Sequence, residues 1–357
     1  MKKKLIVSFI FLNLCITSSI TYGATDEQSL QQIKIKDEKQ IIFKKGISES
    51  LLFQLGDDAD IVANVIKEEK NISSEKLRNL VTGLIKAKTF KDVGIKREIN
   101  NGKVITSKGE EIAVPKLQSQ DSFSGRKTEP ISSLSNTYLT GTGPHYVVSS
   151  NTGYAKATGY FTLPTTNTVG NTETAYVIGG IYTSNSGADL GLYSKDDLTW
   201  TPCINMGGTN WGGDGGWYES TVHISKASVP TLYLIWKTND NEVELQTYDG
   251  YSFELLSAIS YYAPNRGFNK AGSGVSIKRE HALAYSSGEG DLTNGSYYLN
   301  SHWFNVYIYN NYITSQWSAN YTSSRVKGDT ADEQSTITLN SSMYDYDDSV
   351  SIIFNKP

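Results

Sequence analysis

Short runs of alternating apolar and polar residues recur from about residue 150 to the C-terminus, and Gly, Asn and Asp residues separate them. A period of two is typical of strands that bury one face, and helical spacing is absent from these runs. About eleven strands in this length predict a mainly β fold, a two-sheet antiparallel β-sandwich or jelly roll of the concanavalin-like kind. The clearest runs are Tyr154–Leu163, Thr174–Thr183, Ala188–Tyr193, Thr199–Met206, Trp217–Ile224, Thr231–Thr238, Glu242–Tyr248, Tyr251–Ile259, Gly274–Tyr285, Ser296–Asn310 and Thr336–Phe354.

The composition changes abruptly near residue 130. All 6 Trp, all 4 His and 22 of the 23 Tyr follow that point. Residues 24–130 carry 19 Lys and Arg against 17 Asp and Glu, whereas residues 131–357 carry 11 against 20. Such a change marks a domain boundary, and the acidic second part argues against a nucleic-acid partner. We therefore expect a signal peptide at 1–23, a small helical α+β module at 24–106, a polar linker at 107–136 and the β-sandwich domain at 137–357.

The N-terminus has the pattern of an export signal. Three lysines precede an apolar run from Leu5 to Ile16, and a polar stretch then ends at Gly23. This order predicts a secretory signal peptide cleaved near Gly23 and an extracellular location. The apolar run is shorter than the roughly 20 residues that span a bilayer, so we expect no transmembrane segment in the mature chain. Cleavage leaves Cys203 alone, which excludes an intramolecular disulfide and fits export from a Gram-positive bacterium.

The module after the signal is predicted to be mainly helical. Ser48 can cap a helix from Glu49, and Ser73 can cap a second one in which Leu77, Leu80, Val81 and Leu84 form an apolar stripe. An Asn-Gly pair lies between residues 95–99 and residues 104–106, and this pattern predicts a β-hairpin. The module could serve as a pro-region, a cap or a tether, and the polar linker after it is a candidate site for proteolysis.

The hairpin between residues 231 and 248 can be given a register. A turn at Asn239-Asp240 places Leu232, Leu234, Trp236, Val243 and Leu245 on one face and Tyr233, Ile235, Lys237, Glu244 and Gln246 on the other. This separation of apolar from polar residues is what a half-buried sheet requires. The following turn at Asp249-Gly250 fits less well, and it predicts a bulge or a different pairing there.

Two strands offer a candidate binding face. In residues 217–224, Trp217, Glu219, Thr221 and His223 are expected on the face opposite Tyr218, Val222 and Ile224. In residues 301–310, His302, Phe304, Val306 and Ile308 are expected in the core, and a row of aromatic and amide side chains is expected opposite them. Flat aromatic rings stack on sugars, while amides and carboxylates bind hydroxyl groups, so such a row suits a glycan. Strand propensity alone also favours Tyr and Trp. The candidate ligand-binding residues are Trp217, Tyr233, Gln246, Trp303, Asn305, Tyr307 and Tyr309, with Glu219 as a further polar contact.

Catalysis would require a pair of acid and base groups. Glu219 with His223, or Glu242 with Glu244 at a spacing of about 6.7 Å along a strand, could serve a hydrolase or lyase. The four His show no metal-ligand spacing, and one Cys builds no zinc site, so no metal is expected. Asp345, Asp347 and Asp348 leave a Ca²⁺ site possible, although the pattern of an EF-hand loop is missing.

Part of the sandwich resembles a known family. The runs Ala175–Tyr182 and Gly187–Tyr193, followed by Trp200 and Asn205, are similar to the YrpD-like secreted proteins of Bacillus-type bacteria. The resemblance covers roughly residues 140–357 and implies export and a concanavalin-like β-sandwich. That family has no known function, so the resemblance implies no catalytic residue.

Three hypotheses about function follow. The first is a secreted monomer that binds a polysaccharide or cell-wall glycan through the aromatic face. The second is a secreted enzyme that cleaves glycans, and the third is an extracellular surface or matrix protein whose sheet face binds another protein. A groove wide enough for a polymer favours the first two hypotheses, whereas a closed sheet face favours the third.

Overall fold

A computed structural model describes residues 29–89, 91, 94–99, 102–115, 117, 143–169, 173–206, 216–285, 291–344 and 346–355, without the side chains of 341–344. The predicted signal peptide and most of the predicted linker lie outside these residues. The chain forms two compact units. One unit contains residues 1–71 with 311–313, and the other contains residues 72–310 with 314–357. The division falls after Asn71, well before the boundary expected from composition.

The smaller unit is helical. Residues 29–44 form helix α1, which the sequence analysis did not predict, and α2 (Glu49–Leu55) and α3 (Ala59–Glu68) follow. Ser48 caps α2 as expected, because its side chain accepts a hydrogen bond from the Leu51 amide. Lys34 lies 3.7 Å from both Glu38 and Asp60, which links α1 to α3. Among the described residues, no helix has the length and hydropathy to cross a membrane.

The larger unit begins with α4 (Ser74–Thr89). The Lys76 amide donates to Ser73 Oγ at 3.2 Å, and the predicted stripe is buried from Leu77 to Leu84. The stripe packs on a sheet, where Gly83 approaches Tyr248 so closely that a Cβ there would lie 2.6 Å from the ring. The predicted helix and its cap are therefore confirmed.

Two antiparallel sheets form the sandwich. In spatial order, sheet A contains β1 (Ile95–Glu98), β10 (Gly216–Glu219), β9 (Thr199–Asn205), β8 (Gly187–Ser194), β7 (Glu173–Tyr182), β15 (Ser276–Tyr285), β4 (His145–Ser150) and β18 (Thr322–Lys327), and β11 (Ile224–Ser225) pairs with β9. Sheet B contains β14 (Leu255–Tyr262), β13 (Glu242–Asp249), β12 (Thr231–Asn239), β5 (Lys156–Thr162), β16 (Tyr297–Tyr309), β20 (Asp347–Ile353) and β19 (Ile337–Tyr344), and β6 (Thr165–Asn167) and β17 (Thr314–Gln316) pair with β16. A hairpin of β2 (Lys103–Ile105) and β3 (Glu111–Ala113) and a short helix α5 (Ala331–Thr336) complete it. The mainly β sandwich prediction is confirmed.

The inner faces of the two sheets meet in an aromatic core. Trp236 of sheet B lies against Gly179 of sheet A, where a Cβ would be 2.7 Å from the indole. Trp236 also packs on Trp303 with ring centroids 5.2 Å apart, and Phe161 meets Trp303 edge-on. Each sheet therefore has an inner face in this core and an outer face that points away from the other sheet.

The register of β12 and β13 confirms the predicted separation of faces. The turn is Asp240-Asn241 rather than Asn239-Asp240, so each partner lies two residues further along β13, with Asn239 opposite Glu242 and Lys237 opposite Glu244. Asn241 has φ near +62°, a left-handed conformation that Asn tolerates well. The expected irregularity after this hairpin occurs as a register shift between Thr247 and Tyr248.

Two other strand predictions are wrong. Residues 95–98 do not pair with residues 103–105, because β1 adds to the edge of sheet A beside β10 while β2 pairs with β3. The run from Trp217 to Ile224 is not one strand, since β10 ends at Glu219 and β11 begins at Ile224. Both errors arise because pairing partners distant in sequence are invisible to local patterns.

Candidate functional site

The outer face of sheet A is covered by residues 102–115 and Leu117, which we call the strap. The strap contains the β2–β3 hairpin, followed by Val114, Pro115 and Leu117. Its apolar side chains join those of the sheet in one buried cluster: Val104, Ile112, Ala113 and Val114 from the strap, and Tyr176, Ile178, Tyr193, Cys203, Trp217, Ala282 and Ala284 from sheet A. The start of the predicted polar linker is thus an ordered part of the sandwich.

Four polar side chains of sheet A bind the backbone of the strap. The Ala113 amide donates to Thr174 Oγ1 at 3.0 Å, and the Tyr176 hydroxyl donates to the Ala113 carbonyl at 2.6 Å. Further contacts are Asn205 Nδ2 to the Pro115 carbonyl at 3.0 Å and the Ser107 amide to Glu219 Oε1 at 2.7 Å. The sheet therefore holds the strap through its peptide groups, in addition to the apolar packing of its side chains.

Glu219 is the carboxylate of sheet A that binds the strap. It is fully buried, and its second oxygen accepts a hydrogen bond from the Tyr193 hydroxyl at 3.0 Å. Burial raises the pKa of Tyr193 and the Glu219 carboxylate raises it further, so the phenol keeps its proton and remains a donor. Burial also raises the pKa of Cys203, which makes this thiol a small apolar side chain rather than a nucleophile.

A second charged cluster lies on the same face of sheet A. Lys278 Nζ is 2.9 Å from Asp189 and 2.6 Å from Glu280, and the Tyr182 hydroxyl donates to Asp189 at 2.6 Å. Burial raises the pKa of Asp189 to about 6 even though Lys278 opposes the change. Burial alone would lower the pKa of Lys278, but the two carboxylates raise it well above its usual value. The outer face of sheet A is therefore rich in buried charge as well as aromatic rings.

The predicted binding residues on sheet B occupy its outer face, on the opposite side of the sandwich. Tyr233, Gln246, Tyr307 and Tyr309 are all buried there. At the β13 and β14 end of this face, α4 packs on Tyr248 and Leu255. The Tyr248 hydroxyl donates to Gln246 at 2.5 Å, and the Gln246 amide donates in turn to Glu244. The row predicted from sequence exists, but its rings are covered in this structure.

Glu244 lies at the end of this row, within a cluster of charged side chains. Lys91 Nζ lies 2.5 Å and Lys237 Nζ 3.6 Å from its carboxylate. Burial tends to raise the pKa of Glu244, but the two ammonium groups outweigh burial and lower it below the usual value. Asn239 Nδ2 donates at 3.3 Å to both Glu242 and Glu244, so the predicted carboxylate pair does converge on one amide.

Trp303 and Asn305, the other two predicted binding residues on β16, do not lie on the face that the sequence predicted. Trp303 is fully buried in the core between the sheets, whereas His302 and Phe304 are half-exposed, so the predicted faces are reversed before Asn305. After it, Val306 and Ile308 lie in the core as predicted. Asn305 is exposed with φ near +49°, and the register of β16 against β5 shifts between Phe304 and Tyr307. A bulge at this point exchanges the faces before and after it, which a strict period of two cannot anticipate.

The predicted pair of Glu219 and His223 lies at and just after the end of β10, close enough that the Glu219 carboxylate raises the pKa of His223 against the larger effect of burial. His223 lies in an exposed turn, where its Nδ1 is 2.8 Å from Thr201 Oγ1. Burial lowers the pKa of His223 from its usual value. Trp217 and Glu219 do share one face, as predicted, but that face is the one beneath the strap.

A polar cluster in the core escaped the sequence analysis. Arg279 Nη2 lies 2.5 Å from Asp348, His281 Nε2 lies 3.0 Å from the other oxygen of Asp348, and His281 Nδ1 contacts the Ser301 hydroxyl. All four residues are buried between the sheets, away from the surface that a substrate could reach. The cluster resembles a Ser-His-Asp constellation only in composition, and its position makes it part of the core.

The cluster predicts a pH dependence of stability. Burial lowers the pKa of His281, so the folded chain keeps it neutral where the unfolded chain takes up a proton below about pH 6.5. Stability therefore falls as the pH falls, by up to about 1.4 kcal/mol per pH unit for one proton. Urea unfolding at pH 6 and pH 5 is expected to show a larger loss for the natural chain than for H281Q, by about 1 kcal/mol. Equal losses would mean that His281 is charged in the folded state.

The predicted calcium residues have other partners. Asp348 belongs to the core cluster, Asp347 lies 2.7 Å from His302, and Asp345 is outside the described residues. Among the described residues, His145, Asp329 and Glu333 have ligand atoms within 4.8 Å of one another. Glu333 completes the capping box of α5 with Thr330 and accepts from Tyr285, which accounts for its position without an ion.

Comparison with known proteins finds only distant likenesses. No family model matches the chain, and no curated protein matches it. Scytalido-glutamic peptidase with a peptide-based transition state analog is 8% identical, covers 59% of this chain and 98% of its own, and has a TM-score of 0.40. The alginate lyase from Klebsiella pneumoniae is 11% identical over 52% of this chain and 77% of its own, with a TM-score of 0.31. A Bacteroides ovatus GH16 protein is 9% identical over 55% of this chain and 82% of its own, with a TM-score of 0.26.

Because the TM-scores are this low, these proteins support no conclusion about the function of this chain. The fold and the surface define its class, a two-sheet antiparallel β-sandwich with a strap on the outer face of one sheet and a helix on the outer face of the other. The YrpD-like resemblance of the sandwich stays a prediction.

Proposed function

We propose that the chain is an exported binding protein for an extended polymer of the cell surface, produced with its binding surface occupied by its own strap. The bacterial cell wall, in which glycan strands and peptides are joined, is the partner that the sequence favours. Export follows from the pattern of the N-terminal residues and is part of the proposal.

The single observation that carries this proposal is the way sheet A holds the strap. Thr174, Tyr176, Asn205 and Glu219 hydrogen-bond to main-chain groups of a chain segment that crosses the sheet. Within the sheets, ladders between strands satisfy most main-chain groups, whereas these contacts to the strap are made by side chains. A surface that binds an extended segment in this manner is suited to bind another one of similar shape once the strap leaves.

The chemistry of the surface supports a polymer ligand. Trp217 and Tyr193 provide large flat rings, 5.7 Å apart, and Glu219 and Asn205 provide an acceptor and a donor beside them. Rings with a few convergent polar groups are typical of ligand sites. This set includes two of the residues predicted from sequence, Trp217 and Glu219, whereas the predicted sheet B residues lie on the opposite side.

Displacing the strap is expected to expose the surface of sheet A and so allow the chain to bind a polymer. Ile112 of the strap is 0% exposed and lies in the buried cluster on sheet A, while Ile105, on the same hairpin, is 54% exposed. An aspartate at position 112 must leave the apolar cluster, because burying an unpaired charge is costly. We therefore expect I112D to be retained on insoluble peptidoglycan sacculi in a sedimentation assay, while the natural chain and I105D stay in solution.

A matched set of controls keeps this test decisive. Cooperative unfolding of I112D must be verified first, and if it is lost, a specific protease site placed within residues 118–136 provides a second way to free the strap. Equal sedimentation of I112D, I105D and the natural chain would overturn the proposal. Release of reducing sugars by the freed protein, abolished by E242Q or E244Q, would instead support the hypothesis of a glycan-cleaving enzyme. The convergence of those two carboxylates on Asn239 is the observation that favours it.

A further inference from the structure

We infer that the ligand of the surface beneath the strap is an extended polypeptide with small apolar side chains, held by its main chain. This inference rests on the proposed function and names the chemical class of the polymer. A glycan is the competing class, and the experiment below separates the two.

The first argument is the geometry around Ala113. An extended residue displays its amide and its carbonyl, and here Thr174 Oγ1 accepts from the amide while the Tyr176 hydroxyl donates to the carbonyl of the same residue. Thr174 and Tyr176 are two apart on β7, about 6.7 Å along the strand, and both point to the outer face. Two hydroxyls at this spacing thus bind the donor and the acceptor of a single residue, which belong to two consecutive peptide units.

The second argument is that the contacts continue along the segment. Two residues after Ala113, the Pro115 carbonyl accepts from Asn205 Nδ2 at 3.0 Å. Asn205 lies on β9, two strands away from β7, so the segment runs across the strands rather than beside one of them. Sheet A therefore uses side chains from separate strands to bind successive peptide groups, which gives affinity without strict dependence on the bound sequence.

The third argument concerns the side chains of the bound segment. Ile112, Ala113 and Val114 are all buried against the sheet cluster, which includes the small residues Ala282 and Ala284. This cluster accommodates β-branched and small apolar side chains at consecutive positions. A sugar polymer carries hydroxyl groups around each ring, and burying those groups against aliphatic side chains would leave them without hydrogen bonds.

One donor on this surface has no acceptor among the described residues. Trp217 is fully buried within the cluster, and its Nε1 lacks a hydrogen-bond partner there. A buried donor without an acceptor costs free energy, so a ligand that brings a carbonyl to this point would form a hydrogen bond that the described part of the strap does not supply.

The experiment measures binding of a labelled peptide to the strap-displaced chain. The probe is a fluorescently labelled synthetic peptide with the sequence of residues 109–117. Fluorescence anisotropy measures its binding to I112D, and the natural chain, in which the strap occupies the surface, is the control. We expect saturable binding to I112D and at least tenfold weaker binding to the natural chain. A soluble chito-oligosaccharide of similar length serves as the glycan probe and is expected not to compete.

Two variants of the receptor test the assigned contacts. In the I112D background, Y176F removes the hydroxyl that binds the Ala113 carbonyl, while Y182F removes a hydroxyl on the same face of β7 that binds Asp189 instead. We expect Y176F to weaken peptide binding about fivefold to tenfold and Y182F to leave it unchanged. A peptide N-methylated at Ala113 should lose affinity similarly, because its donor to Thr174 is gone.

The outcomes separate this inference from the proposed function. Sedimentation of I112D with sacculi, combined with displacement by the oligosaccharide and no binding of the peptide, would overturn the polypeptide inference and leave the polymer-binding function standing. Binding of neither peptide nor sacculi by a folded, strap-displaced chain would overturn both. Equal effects of Y176F and Y182F would contradict the assigned backbone contacts.

Discussion

Replacing Asp348 with asparagine is expected to reduce the free energy of unfolding by about 3–5 kcal/mol. Asp348 is the counter-charge of Arg279, and both side chains are almost wholly buried between the sheets. The guanidinium cannot reach water when the carboxylate is lost, so a positive charge stays in the core without compensation. The carboxylate also receives a hydrogen bond from His281, which would lose its acceptor. Equilibrium unfolding in urea measures the loss.

The neighbouring residue provides the control for this variant. Asp347 pairs with His302 at 2.7 Å, but the two side chains are 37% and 34% exposed. Exposed pairs of this kind contribute about 0–1 kcal/mol, so D347N should unfold nearly like the natural chain. If D348N and D347N differ by less than about 1 kcal/mol, the Arg279 charge must be compensated by another group.

Truncating Trp303 to alanine is expected to cost about 3–5 kcal/mol of stability. The indole is fully buried and contacts Trp236 and Phe161, so its removal leaves a cavity in the centre of the sandwich. If Trp303 lay on an open binding face instead, W303A would fold normally and lose binding to a glycan. Thermal unfolding and sedimentation with sacculi, measured on the same preparation, distinguish the two.

The appropriate control for W303A is an exposed aromatic residue on the same sheet. Tyr262 on β14 is 69% exposed, and Y262A should change stability by no more than about 0.5 kcal/mol. A W303A protein as stable as Y262A would show that the core closes around the missing ring or that the ring does not belong to the core. In either case the assignment of Trp303 to the inner face would fail.

Local patterns in the sequence predicted a large part of the sandwich. The alternation along β12 and β13 placed Leu234 and Trp236 on one face and Tyr233 and Gln246 on the other, as the structure confirms. The helical stripe of α4 and its Ser73 cap were equally clear. These features depend on the periods of two and 3.6 and on one capping group, all of which lie within a few residues of one another.

Other features depend on partners that are distant along the chain. Arg279 and Asp348 are 69 residues apart, and Thr174 and Ala113 are 61 residues apart. The pattern of β16 also misled the analysis, since one bulge at Asn305 exchanges the strand's faces. A single sequence contains no signal for which strands become neighbours or where an extra residue enters a ladder.

Alternation along the sequence is enough to give this chain strands with two unlike faces, one apolar and one of aromatic, amide and carboxylate side chains. What each face contacts became clear only from the folded chain. The strap lies on Trp217 and its neighbours in sheet A, α4 packs on Tyr248 in sheet B, and the rings expected on an open binding surface are buried. The physical reason is that alternation follows from backbone geometry, whereas coverage follows from the apolar area that a distant segment can bury.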